Sequence, residues 1–180
     1  MYGLVNRAIE GLVRAEFGDD AWERIRSRAG VTETSFVAMS PYDDSVTYSL
    51  VGAASEELGV DPAAILTSFG EYWTTYTIEE GYGDLLAMMG STLEEFLDNL
   101  DSMHARIGGQ MPELLPPSFE REALDDGSSI LHYRSEREGL APMVIGLLEG
   151  MAKRFEVKLE IEQIDDAADG HARFLLRPAG

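Results

Sequence analysis

The hydrophobic pattern of this chain changes period near residue 112, and that change limits what it can fold into. Before it, apolar residues recur at three- and four-residue spacing. Leu4, Val5, Ala8, Ile9, Leu12 and Val13 trace one helical stripe that needs a partner surface. The same spacing predicts a second helix over 20–29 stopped by Gly30, and a third over 46–58 ended by Gly59, beyond the Ser40-Pro41 break. Asp61 caps a fourth, with Pro62 in its first turn and an aromatic face from Phe69, Tyr72, Trp73 and Tyr76. Ser91 and Glu94 form a capping box, after which Leu93, Phe96, Leu97, Leu100, His104 and Ile107 share one face until Gly108-Gly109.

After Pro112 and Pro116-Pro117 the period drops to two. Strands are expected over 118–122 and 130–137, joined by an Asp125-Asp126-Gly127 turn. A helix over 139–155 follows, with Pro142 in its first turn and Met143, Leu147, Leu148 and Met151 inward. Val157, Leu159 and Ile161 then alternate with charged residues, and a last strand over 172–177 lies across an Asp-rich loop at 165–170. The class is α+β: a helical N-terminal subdomain, then a small antiparallel sheet with an inserted helix, expected as a single domain over residues 1–180. With 44% apolar residues the chain can bury a core without disulfides or metals.

Composition excludes several function classes. Fourteen Lys and Arg against 33 Asp and Glu give a formal net charge of -19, which repels phosphate backbones and anionic membrane surfaces. Nucleic acid and membrane are therefore not expected partners. With no cysteine there is no disulfide framework, thiol catalysis or thiolate-ligated haem. The opening residues lack a basic, then apolar, leader pattern, and no stretch approaches the ~20 apolar residues of a membrane span, so a cytoplasmic location is expected.

Two segments carry candidate chemistry. His104 sits on the apolar face of a helix, where an imidazole is most often a satisfied core residue. About thirty residues later comes Tyr133-Arg134-Ser135-Glu136-Arg137. On a strand, Tyr133, Ser135 and Arg137 share a face and present two hydroxyls and a guanidinium, a fork for carboxylates. Tyr-x-Ser-x-Arg alone is a weak signal, because Tyr and Arg decorate ordinary strands; joined to a helical His with a Pro-Pro pair between them, it is far more specific. An imidazole able to ligate iron, plus a fork able to hold two anionic arms, is what haem binding needs. His132 points to the face opposite Tyr133 and His171 sits beside a loop, so both are expected on the solvent side, and no metal cluster forms in sequence. Asp43-Asp44, Asp125-Asp126 and Asp165-Asp166 stand at turn or cap positions, where Asp bonds locally to the backbone. Gly81-Tyr82-Gly83 lacks the spacing of a dinucleotide fingerprint, and no P-loop or nucleophile elbow is present.

The chain resembles the haem nitric oxide/oxygen binding (H-NOX) domains, including the haem domain of the soluble guanylate cyclase β subunit. The resemblance covers nearly all 180 residues. It rests on Met1 to Asn6, Tyr42-Asp43-Asp44-Ser45 with Thr47-Tyr48, Ala53-Ala54-Ser55, Glu79 to Tyr82, Asn99-Leu100-Asp101 leading to His104, Pro117-Ser118-Phe119, and Leu131-His132-Tyr133 through Gly139-Leu140. It implies a haem b buried between the two parts, with His104 as proximal iron ligand and metal site. Tyr133, Ser135 and Arg137 would bind the propionates and Pro117 would press on the porphyrin. Where oxygen-binding members carry a distal tyrosine, this chain has Met143, which offers no donor. Val5, Ile9, Trp73 and Leu147 complete the expected pocket, polar only at the Trp73 indole.

The resemblance implies a gas sensor, not an enzyme. Nitric oxide or carbon monoxide would bind opposite His104, dioxygen would be excluded for want of a donor, and nitric oxide would weaken the Fe–His bond and release strain into the His104 helix. The signal would pass to a separate protein such as a histidine kinase or a cyclic-di-GMP enzyme. A peroxidase-like or nitric oxide-consuming haem enzyme and a haem-free adaptor are the competing readings; the apolar distal set, without acid or base residues, argues against the enzyme.

Overall fold

A computed structural model describes residues 1–109, 111–165 and 171–179. The amphipathic stripe becomes α1 (Gly3–Phe17), packed on α2 (Asp19–Arg28) and α3 (Asp44–Leu58). Asp43 caps α3 by accepting from the Ser45 N–H at 2.8 Å, and Gly59 ends it in the left-handed region. Asp61 caps α4 (Pro62–Thr77) in the same way, accepting from Ala63 at 2.8 Å with Pro62 in the first turn. Beyond α4 the pattern gave no expectation: a π-helical turn (Ile78–Tyr82) holds Gly81 at φ 96° and runs into the short α5 (Gly83–Ala87).

The long helix expected over 91–108 is two helices. Thr92, not Ser91, caps α6 (Leu93–Asp98), accepting from Glu95 N–H, while the Glu95 carboxylate accepts from the Ser91 N–H at 2.7 Å. Asn99 then separates α6 from α7 (Leu100–Gly108): its side-chain amide donates to the carbonyls of Met89 and Glu95, both at 2.9 Å.

The second half forms one antiparallel sheet in the order β1-β2-β4-β3, from β1 (Ser118–Ala123), β2 (Ser129–Arg134), β3 (Leu159–Asp165) and β4 (His171–Pro178). The helix α8 (Ala141–Arg154) is inserted between β2 and β3. The architecture is the expected α+β one. Strand β2 stops at Arg134, three residues short of expectation, because the Ser135 hydroxyl accepts the Arg137 N–H at 3.0 Å and turns the chain out of the sheet. Of the Asp-rich loop expected over 165–170, positions 166–170 lie outside the described residues, and Asp165 ends β3.

Two apolar clusters make up the core. One joins α1 to α4 around Trp22, Ile25 and Leu50. The other joins α6, α7, α8 and the inner face of the sheet around Leu131, Leu148 and Phe174. Helices α4 and α8 bridge them by direct backbone contact. A Cβ added at Gly70 would lie 2.1 Å from the Met143 carbonyl oxygen, and one at Gly146 would lie 1.9 Å from that of Thr67. Only glycine admits so close a crossing.

Candidate functional site

His104 lies at the middle of the short α7, with its ring centroid 5.9 Å from that of Phe119 on β1. Its Nδ1 is buried and has no hydrogen-bond partner. Burial pushes the imidazole below its ordinary value of 6.5, while the Asp101 charge and the Pro117 carbonyl act the other way. Burial thus favours the neutral ring, which has a lone pair to offer. Asp101 also accepts from the Phe119 N–H at 2.8 Å and from the Ser118 hydroxyl at 3.1 Å, which ties α7 to the start of β1 just beyond Pro117.

Tyr133 is buried on the inner face of β2, packed on Phe119 with ring centroids 5.4 Å apart. Burial raises its phenol, and the Ser135 hydroxyl and the Arg137 charge oppose that shift. These three residues do come together, but not by strand alternation: the turn at Ser135 places Arg137 near them from outside the sheet. The Arg137 guanidinium grips the Asp44 carboxylate through Nε at 2.7 Å and Nη2 at 3.3 Å, and donates through Nη1 to the Leu115 carbonyl at 2.6 Å. Asp44 also pairs with the Met1 ammonium. Desolvation raises Asp44, but the ammonium and Arg137 outweigh it and hold the carboxyl below its ordinary range. The sequence reading gave Asp44 a capping role; Asp43 does the capping, and the spare carboxylate next to it was the missed signal.

Val5, Ile9 and Met143 line a cavity of about 260 Å³ with Val51, Leu66 and Phe69. Its two side-chain hydroxyls point their protons elsewhere: Thr47 donates to Asn6 Oδ1 at 2.7 Å and Tyr48 to the Glu138 carbonyl at 2.9 Å. Trp73 and Leu147 do not line it. Trp73 packs on Phe69 and Tyr76, and Leu147 sits where α8 crosses Gly70 of α4.

The donor set fits haem in its chemistry: a buried imidazole with an unpartnered nitrogen would take iron, and a guanidinium that already holds a carboxylate in a fork would take a propionate, although His104, Tyr133, Ser135 and Arg137 are not among the residues that line the apolar cavity. A helical subdomain packed over an antiparallel sheet with an inserted helix is the H-NOX fold. An H-NOX protein from S. oneidensis in the Fe(II)NO ligation state superposes with a TM-score of 0.90 at 19% identity, over 100% of both chains. The Fe(II) unliganded H-NOX protein from K. algicida gives 0.82 at 20% identity, over 100% of this chain and 97% of that one.

The chain belongs to the haem-NO-binding family, whose model matches residues 2–163. It is similar to soluble guanylate cyclase gcy-32 of Caenorhabditis elegans, 35% identical over 157 residues, which cover 86% of this chain and 23% of the cyclase. It also resembles guanylate cyclase soluble subunit beta-2 of Rattus norvegicus, 41% identical over 92 residues, covering 51% of this chain and 14% of that subunit. The chain thus spans about a quarter of the first cyclase and less of the second. As an H-NOX domain it is a haem-based sensor module and not a catalytic one. Among the described residues no helix is long and apolar enough to cross a membrane.

Proposed function

We propose that residues 1–180 act as one domain that binds haem b through His104, senses nitric oxide and carbon monoxide, and excludes dioxygen. The carrying observation is the buried His104, neutral and unpartnered at Nδ1, in a chain of the haem-NO-binding family. Bound haem supplies an iron centre able to take a diatomic gas. His104 supplies a neutral nitrogen donor. Tyr133, Ser135 and Arg137 hold the propionates, and Asp44 is the carboxylate that competes for Arg137. Pro117, whose carbonyl reaches the His104 ring, presses on the same side.

Selectivity follows from the gas side of the pocket. A dioxygen complex gains from a donor aimed at the bound ligand, whereas nitric oxide and carbon monoxide bind without one. Met143 carries no N–H or O–H, and Thr47 and Tyr48 spend theirs on Asn6 and Glu138. The Trp73 indole packs among Phe69 and Tyr76, away from this cavity. In the cytoplasm the signal passes to a separate protein such as a histidine kinase or a cyclic-di-GMP enzyme.

The test is spectroscopic. The haem-loaded protein is reduced with dithionite, desalted and exposed to air, and parallel samples receive nitric oxide or carbon monoxide. Both gases shift the ferrous spectrum, and no stable oxy-haem spectrum forms. A persistent oxy spectrum overturns the selectivity, and failure to take up haem overturns the whole reading.

A further inference from the structure

The outer face of the sheet, behind Tyr133, carries a second cluster. His132 on β2 and His171 on β4 are diagonal neighbours, since His132 pairs in register with Arg173 and Arg134 with His171. Their rings are near parallel, at 21° with centroids 5.6 Å apart, and His132 Nδ1 lies 3.4 Å from His171 Nε2. At this centroid distance two five-membered rings bring their nitrogens that close only by meeting nearly edge to edge, so the two nitrogens face each other. On the far side of its ring, His132 Nε2 lies 3.4 Å from Glu122 Oε2 on β1.

That arrangement selects a tautomer. With the His132 proton on Nε2, toward Glu122, its Nδ1 carries a lone pair that a His171 Nε2–H can meet. With the His171 proton on Nδ1 instead, both nitrogens present lone pairs to one gap, and a small rotation of each ring turns them toward an ion beside the N–N line. Two nitrogens at ~2.0–2.1 Å from a tetrahedral zinc ion lie about 3.4 Å apart, the separation seen here. The outward carboxylate on the non-ligating nitrogen is the usual support of a metal-bound histidine. Neighbouring cations do not oppose an ion here: Arg173 is paired with Asp165 at 2.6 Å and Arg134 with Glu120 at 3.2 Å. The chain as a whole, at -19, attracts cations.

We propose that His132 and His171 form a two-histidine site for a divalent transition-metal ion of the zinc class, with Glu122 holding His132 in the ligating tautomer. Among the described residues no group of three or more His, Cys, Asp or Glu converges on one cation position, so the described residues supply two ligands, with water to complete the shell. The ion joins β2 to β4 on the face opposite Tyr133, so the site stands independently of whether His104 carries haem.

The chain with haem added is titrated with zinc alone, followed by calorimetry and by ¹⁵N spectra of the imidazoles. One zinc binds per chain, and the coordination shifts fall on His132 Nδ1 and His171 Nε2. His132→Gln and His171→Gln each abolish the event and the zinc-dependent rise in Tm, His104→Ala leaves both in place, and Glu122→Gln weakens binding about tenfold. No zinc uptake, uptake that survives both histidine variants, or loss with His104→Ala overturns the proposal; the spectra of the unmodified protein decide the matter even where a variant folds poorly.

Discussion

Replacing Arg137 tests the anchor most directly. Arg137 is 14% exposed and Asp44 38%, so the pair is half shielded from water. Arg137→Ala removes two charge-assisted bonds to Asp44 and one to the Leu115 carbonyl. A hydrogen bond to a charged group contributes about 1.5–3 kcal/mol. Asp44 keeps the Met1 ammonium, so no charge is stranded, and the expected loss is about 2 kcal/mol for the haem-free protein. In urea, with a slope of about 2 kcal/mol/M, the midpoint falls by roughly 1 M. Arg134→Ala is the control: its exposed pair with Glu120 should move stability by less than ~0.5 kcal/mol. The sign of the pH dependence follows from Asp44, whose folded pKa lies below its ordinary 3.8. Its contribution is complete above that ordinary value and is lost as pH falls through the lower folded value, so the gap between wild type and Arg137→Ala narrows in acid to what the Leu115 carbonyl bond contributes. With haem loaded, the same variant should release it about tenfold faster while Arg134→Ala does not. Equal losses for the two variants, or a gap that does not shrink as Asp44 protonates, would refute the reasoning.

Two further outcomes are expected. His104→Gly should lose the wild-type ferrous haem spectrum and regain a closely similar one on adding free imidazole; a wild-type spectrum without imidazole removes the ligand assignment. Gly146→Ala forces a methyl against the Thr67 carbonyl and should cost about 3 kcal/mol in urea unfolding. Unchanged stability there would mean that α4 and α8 do not cross as closely as described.

Local signals were read well wherever they were self-contained. The Asp61-Pro62 start of α4 and the Gly59 stop of α3 involve neighbours within a few residues, and each forms as the pattern predicts. Signals that depend on a distant or competing partner were read less well. Asn99 breaks the helix because its amide finds the Met89 carbonyl, ten residues back, a contact no periodicity reveals. Alternation predicts the fork at Tyr133, Ser135 and Arg137 with the right residues, but a serine-backed turn and not a strand carries Arg137. Gly81-Tyr82-Gly83 lacks the spacing of a nucleotide motif, and the positive φ of Gly81 marks a π-helical turn that periodicity does not reveal. His132 and His171 read in sequence as two separate solvent-side residues; strand register, invisible there, makes them a pair.

The break at Asn99 gives the His104 segment a mechanical character of its own. Helix α7 is nine residues long, and Met103 is its one buried residue among those described. It is a short beam that starts at an asparagine, rests on the second cluster through Leu100, Met103 and Ile107, and is tethered to β1 through Asp101. Because the helix has only nine residues and one buried side chain, a displacement of the imidazole would be carried by few contacts, and the polar ones are the Asp101 bonds to Ser118 and Phe119, at the root of the sheet.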